Sequence, residues 1–531
     1  MQSSKYILSF ALMMLMALLG ACGGSGGNSA TPTTKVSGLV LAGPTSGATV
    51  TVKKTDGTEV GRSLPSGSDG SFSVDIPTTA FTDDLVFEAS NGTFDDEVEQ
   101  TPSGKGVALG KLSAHITAGS LASGSNVTID PSSTIIRKLV AGGKSKAAAE
   151  VSFAMAFGYT PDCSVKPAFA TMSSASSDKQ RLAGLRVAAF SQLTKDLIND
   201  PAKQFELIDA LGEDLKDDKL DGKNSAGPVK TTSNLTIPED IGNRFTAALV
   251  AFQASSLNKS KMTPDKIGAL PFSKIAMTNS YKVEYIPGAS AATMGKTTFK
   301  IKLTNISTGT PAAGKSVTIV PYMYMATKSH TSPVDPVIID NGDGTYTCSA
   351  YFVMASMSNG MSMGIWQIKV VVGSEAAYFY PSVAMPSGTS LTKLSGITDS
   401  IIGAAGSEKR TYFLFSDGLT ATNGSYTFAL FLATKETMNN FPAVKAGSQL
   451  SDQAGVAWTV NTISVQVSTD ATTWVSATDS GNGHWSAAGL SLSAGVPGKL
   501  YVKVTVNGEQ KTTDGAVLSG TNGYQTFTVV P

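Results

Sequence analysis

The chain has 531 residues, 41 Lys plus Arg against 41 Asp plus Glu, a net charge of zero and only 15% charged residues. That balance excludes binding of nucleic acid or an acidic surface through bulk electrostatics, which needs clustered positive charge. The length exceeds what one core organises, so three or four domains are expected, and the dominance of Gly, Ser, Thr, Val and Ala fits secreted β-domains with many turns.

At the N-terminus Lys5 supplies a positive start, and "YILSFALMMLMALLG" is an apolar run too short and wrongly flanked for a spanning helix. It ends in "LGAC", Leu19 to Cys22, which resembles a bacterial lipobox. The resemblance implies a signal segment over 1–22, with Cys22 carrying a diacylglycerol thioether and becoming the new N-terminus. Each buried methylene contributes about 0.8 kcal/mol and one chain is marginal, so a stable anchor needs two or more. The competing reading is an ordinary secretory signal whose cysteine happens to sit at the cleavage site. Residues 23–34, "GGSGGNSATPTT", form a flexible tether. Gly23 after the cysteine resembles outer-membrane sorting, so the expected location is the outer membrane, lipid-anchored, on its periplasmic face or the cell surface. Beyond Cys22 only Cys163 and Cys348 remain, and without CxxC or CxxCH a zinc ribbon and c-type haem are excluded. Their separation favours two buried thiols over a disulfide.

Residues 35–118 alternate as short strands, with Asp56-Gly57 as a hairpin cue and Phe72, Val74 and Ile76 on one face. The order "GLV", "GATVTV", "DGSFSV" resembles the carboxypeptidase-regulatory-like β-sandwich, which implies a structural module without chemistry of its own. From 119 to 277 the period changes to helical. Asp130 is placed to cap a helix with Pro131 at its first position. Three sets keep helical spacing: Leu182, Leu185, Ala189, Leu193 and Leu197; Phe205, Ile208, Leu211 and Leu215; Ile241, Phe245, Leu249 and Phe252. The acidic run Asp214, Asp217, Asp218, Asp221 misses calcium-loop spacing and is expected to be a solvated turn.

Strands return over 278–385. Phe299, Ile301 and Leu303 alternate, as do Val317 with Ile319 and Trp366 with Ile368 and Val370, around the turn Asn341-Gly342-Asp343-Gly344. The segments "VPYMYMATKSH" and "DNGDGTYTCSAYFVMASMSNGMSMGIWQIKVVV" resemble a YtkA-like or FixH-like domain, which implies an immunoglobulin-like sandwich carrying Met and His on its strands. The last region, 386–531, alternates again through Val465, Val467 and Trp474, then Tyr501, Val502, Val504 and Val506, and is expected to be another sandwich. His484 and Trp485 beside its Gly-Asn-Gly turn are assigned to surface and core. The expected fold is therefore multi-domain and mainly β: immunoglobulin-like sandwiches, with an α-helical region between the first and second.

The chemistry is sparse. Only His115, His330 and His484 exist, and no GxSxG, HExxH, P-loop or dinucleotide fingerprint occurs. The pairs Asp83-Asp84 and Asp95-Asp96 fall in turn-like, solvent-friendly stretches, so the chain is not expected to be an enzyme. Six of the 17 methionines lie between positions 323 and 363. Thioether sulfur is soft and suits Cu(I) where thiolates would oxidise. Met323, Met325, His330, Met361 and Met363 are therefore candidate ligands. Met also fills core gaps against aromatic rings, here Tyr322, Tyr324, Tyr351, Phe352 and Trp366, and both readings stay open. The leading expectation is a lipid-anchored, non-catalytic interaction or scaffold module with a protein or polysaccharide partner, the membrane as its anchor, no nucleic acid and no cofactor. Copper handling through the Met and His residues is the alternative. A third reading, a carbohydrate-binding or hydrolytic accessory protein, rests on Trp458, Trp474 and Trp485 being exposed.

Overall fold

The computed structural model describes residues 31–268, 270–403 and 406–531. The lipobox and Cys22 lie outside the described residues. The chain is multi-domain and mainly β, with its α-helices gathered between the first and second sandwich.

The first sandwich places β1 (Thr33–Val40), β2 (Thr49–Lys54), β3 (Glu59–Arg62), β4 (Ser71–Pro77), β5 (Leu85–Ser90), β6 (Leu112–Ile116) and β7 (Asn126–Ile129) in two sheets, ordered β7-β1-β4 and β3-β2-β5-β6. Asp56-Gly57 turns the β2–β3 hairpin with Gly57 at φ 93°. Strand β7 comes from the stretch expected to be helical and joins β1 in parallel, Val127 opposite Gly38. Only glycine fits at position 38, because a Cβ there would lie 2.1 Å from the Val127 carbonyl oxygen and 2.4 Å from the Phe72 ring.

Helix α1 (Pro131–Ala141) starts as the sequence indicates. Asp130 accepts from the Ser133 N–H at 2.7 Å, the Ser133 hydroxyl returns the capping box, and Pro131 takes the first position. Thr134 and Ser133 tie α1 to Ser113 of β6. α2 (Lys146–Phe157) ends at Gly158 with φ 78°. α3 (Asp178–Leu197) and α5 (Ile241–Ala254) turn their apolar faces onto Phe157, which stands 4.7 Å from Phe245 and 5.7 Å from Phe190 between ring centroids, and α4 (Gln204–Asp214) packs against α1. Val36, Phe87 and Val127 of the sandwich share one continuous core with Ile135, Phe153, Leu185 and Phe245 of the helices. The boundary expected near 118 therefore does not separate two cores, since the sandwich and helices each leave an apolar face that the other covers.

Two acidic stretches differ from expectation. Asp214 is fully buried and accepts from the Gly222 N–H at 3.0 Å, and burial raises its pKa to about 7, whereas Asp217 and Asp218 are exposed as expected. Asp96 is buried as well, accepting from the N–H groups of Val98 and Glu99.

The second sandwich pairs β8 (Tyr281–Pro287), β9 (Gly295–Asn305) and β10 (Val317–Tyr324) with β11 (His330–Thr331), β12 (Thr345–Phe352), β13 (Ile365–Val372) and β14 (Glu375–Phe379). One sheet contains β8-β9-β12 and the other runs β11-β10-β13-β14. The third sandwich carries β15 (Leu391–Gly403), β16 (Gly406–Thr422), β17 (Ser425–Lys435), β18 (Ile463–Ser468), β19 (His484–Leu490), β20 (Gly498–Val506) and β21 (Glu509–Gln510), with β15-β16-β17-β19 in one sheet and β18-β20-β21 in the other. Cys163 packs against the first core and Cys348 lies inside the second, both as free thiols.

Because one core serves the first sandwich and the helices, Phe157→Ala is expected to destabilise both together by about 3–5 kcal/mol. Urea unfolding of residues 35–277, followed by far-UV circular dichroism and tryptic protection of β1–β6, should give one shifted transition. Two separate transitions would contradict a shared core.

Candidate functional site

The alternation along β10 sends Val317, Ile319 and Met323 into the second core and leaves Tyr322 and Tyr324 on the other face. Antiparallel register puts Met323 directly between His330 on β11 and Trp366 on β13. Paired residues in such ladders project to the same face, so His330, Met323 and Trp366 form one inward row. Met323 has no exposed surface, and the His330 ring meets Trp366 edge-on with centroids 5.6 Å apart. His330 is buried, its Nδ1 sits 2.8 Å from the Thr331 carbonyl oxygen, and burial lowers its pKa, which keeps the imidazole neutral. Met325 and Met363 are half-buried and pack on the rim of the same core, beside Met354, whose carbonyl accepts from Trp366 Nε1 at 3.0 Å.

Met361 departs from this set. Met357–Ser358 and Met361–Ser362 form a short hairpin whose tip, Asn359-Gly360, has positive φ at both residues. Met361 is 66% exposed there and Met357 47%. A cleft of about 30 Å³ opens beside Trp366, between Met357, Ser362 and Tyr380. That is room for one ion or water and not for an organic ligand. Among the described residues, no three His, Cys, Asp or Glu side chains gather as a metal site, and no helix is long and apolar enough to cross a membrane.

None of Trp458, Trp474 and Trp485 is fully exposed. Trp485 is buried, and Trp458 and Trp474 are half-buried against Arg410 and Lys503, whose charges lie 4.5 and 3.7 Å from the ring centroids. A larger groove of about 640 Å³ runs past Cys163, but its charges are paired internally, Lys146 with Glu150 and Lys179 with Asp162. Burial pushes the Cys163 thiol up to about 12, which leaves it a poor nucleophile.

Sequence reasoning missed the joint between the last two sandwiches. Tyr351 lies on the outer face of β12 and is nevertheless fully buried, because Phe415 and Phe431 of the third sandwich close over it. The Tyr351 and Phe431 rings stack 4.1 Å apart with 17° between planes. At the rim, the Tyr351 hydroxyl donates to Asp417 Oδ1 at 2.8 Å, where the Lys296 ammonium also lies at 2.8 Å. His484, assigned to the surface from sequence, is clamped instead: Nδ1 is 2.8 Å from Asp417 and Nε2 is 3.4 Å from Asp335 of the neighbouring sandwich. The two acids raise its pKa from 6.5 to about 9. Burial opposes the charge of Asp417, but hydrogen bonds from His484, Lys296 and Tyr351 outweigh it and hold the carboxyl down at about 2. The Thr331 N–H, next to His330, donates to the Met438 carbonyl, and Phe441 comes within 6.5 Å of the His330 ring, so this joint also roofs the methionine row.

No protein-family model and no curated protein matches the chain. Among solved structures, a chimeric titin Z1Z2-Z1Z2 tandem functionalised with a GRGDS peptide from fibronectin is 11% identical, with 43% of this chain and 94% of that one covered at a TM-score of 0.11. Domains A168–A170 of titin are 9% identical, with 45% and 95% covered at a TM-score of 0.12. Superpositions this poor add nothing to the architecture seen directly in the strands.

The clamp sets a pH dependence. His484 holds its proton more tightly folded than unfolded, so its contribution is complete below about pH 6.5, falls as pH rises, and is gone above about pH 9. In urea unfolding of the full chain, wild type should be more stable than His484→Gln at neutral pH. The two should converge above about pH 9; a constant difference across that range would contradict the charged clamp.

Proposed function

We propose that the chain is a lipid-anchored, non-catalytic protein of the cell envelope, held at the outer membrane through Cys22. Its sandwiches act there as an interaction or scaffold module for a protein or polysaccharide partner. The observation that carries this reading is the joint built on Tyr351, Phe415, Phe431 and the His484 clamp. It buries aromatic surface and fully engaged charges between two domains, so they present one continuous surface instead of two independently moving ones. A scaffold uses that property directly.

The alternative is copper handling, favoured by one observation: a neutral His330, a thioether at Met323 and the Trp366 ring stand in one row, with Met325 and Met363 at its rim. Soft sulfur and neutral imidazole are a donor set for Cu(I). Met361 belongs to it only if the exposed hairpin folds back.

Cys22→Ser is expected to move the protein from the membrane fraction to the soluble fraction; retention in the membrane would defeat the anchor. For copper, the full chain would be titrated with Cu(I) against a chromophoric chelator. The copper reading expects one equivalent withdrawn by wild type and none by Met323→Leu with Met325→Leu. A wild type that withdraws none leaves the scaffold reading alone.

A further inference from the structure

Lysine and arginine are rarely fully buried, yet one end of the third sandwich encloses both. Arg410 and Tyr412 on β16 point inward beside Leu414, and Thr434 and Glu436 do so at the end of β17. Asp399 enters from the irregular stretch of β15 between Ser395 and Ser400, and Lys511 from the residue after β21. Side-chain exposure is 1% for Lys511, 5% for Asp399, 2% for Arg410 and 0% for Glu436. Trp458 covers the cluster, with the Arg410 guanidinium 4.5 Å from its ring centroid.

Backbone and side chains together press Lys511 against Asp399. Ser395 and Thr512 exchange hydrogen bonds of 2.6 and 3.0 Å, which fixes the segment carrying Lys511 alongside β15. Lys511 Nζ lies 3.2 Å from Asp399 Oδ2 and 2.7 Å from Glu509 Oε1. Gly396 makes the approach feasible, because a Cβ there would fall 1.5 Å from Asp399 Oδ1. The Tyr412 hydroxyl donates to Asp399 Oδ2 at 2.5 Å, and Arg410 Nε stands 3.8 Å from the same oxygen. Asp399 Oδ1, Arg410 Nε and Glu436 Oε1 are buried with no hydrogen-bond partner among the described residues. Charges desolvated and left partly unpaired destabilise a fold.

We propose that Lys511 and Asp399 condense into an intramolecular isopeptide bond tying the first strand of this sandwich to the segment after β21. A proton passes from Lys511 Nζ to the Asp399 carboxylate, leaving a neutral amine beside a neutral carboxylic acid. The nitrogen lone pair attacks Asp399 Cγ, and a C–N bond forms. Glu509, in contact with Nζ, takes the next proton from nitrogen and delivers it to the departing hydroxyl. The C–O bond breaks, one water leaves, and a secondary amide remains. No oxidant or co-reactant is required. Tyr412 and Arg410 face the oxygen on which negative charge develops, the arrangement that stabilises a tetrahedral intermediate. The product replaces two buried charges with one neutral amide. It also closes a long loop, which restricts the unfolded chain as a disulfide does without depending on redox conditions.

Intact-mass spectrometry of the full chain tests this. Wild type should be lighter than its Lys511→Met variant by one water more than the substitution accounts for. A tryptic digest of wild type should contain one branched peptide joining the segments of Asp399 and Lys511, a readout that stands even where the variant does not fold. Glu509→Gln should be folded and largely unlinked when freshly purified; linkage to the wild-type extent would overturn the role given to Glu509. Wild-type mass equal to that of the uncondensed chain, with Asp399 and Lys511 recovered in separate peptides, would overturn the proposal.

Discussion

The stack of Tyr351 on Phe431 is the contact on which the C-terminal half of the molecule depends. A tyrosine on the outer face of a sandwich ordinarily meets water. Here its ring is covered by Phe415 and Phe431, and its hydroxyl is taken up by Asp417. Aromatic burial supplies the attraction, and the ring geometry fixes the orientation of one domain on the other. Once that orientation is set, His484 falls between Asp335 and Asp417, and Phe441 comes to rest over His330. The charged clamp and the roofed methionine row are consequences of the same stack.

The methionines show how packing and ligand chemistry share one position. Met323 fills a row between His330 and Trp366, where a thioether gains from contact with aromatic rings. The same burial keeps His330 neutral, the protonation state that both a core histidine and a soft-metal ligand require. Met361 sits outside this logic, at 66% exposure on a two-residue Asn-Gly hairpin. A ladder of hydrogen bonds decides which sulfur faces the core, and neighbouring sequence positions do not share that fate.

Buried charge is handled differently in two clusters of the third sandwich. At the joint every carboxylate oxygen of Asp417 has a donor, so its charge is held comfortably. In the other cluster Arg410, Lys511, Asp399 and Glu436 are packed among aromatic rings, with several polar atoms unpartnered among the described residues. Fully satisfied networks fix a unique structure, whereas partly satisfied ones are destabilising. That contrast separates a structural clamp from a cluster whose geometry suits a reaction.

What the sequence determined by itself was local. The period of the apolar residues distinguished helices from strands, Asp130-Pro131 marked the start of α1, and Asp56-Gly57 and Asn341 to Gly344 marked turns, because those signals act within a few residues. The shared faces of Val317 with Ile319 and of Trp366 with Ile368 and Val370 also followed from strand alternation. Only the tertiary structure decided what covers the outward faces. Nothing near Tyr351 or His484 in sequence announces burial, because the groups that bury them come from distant strands or another domain. Asp399 and Lys511 stand more than a hundred positions apart, and each alone looks like an ordinary surface charge. Their meeting depends on the pairing of Ser395 with Thr512, a contact between segments far apart in the chain that no local pattern encodes.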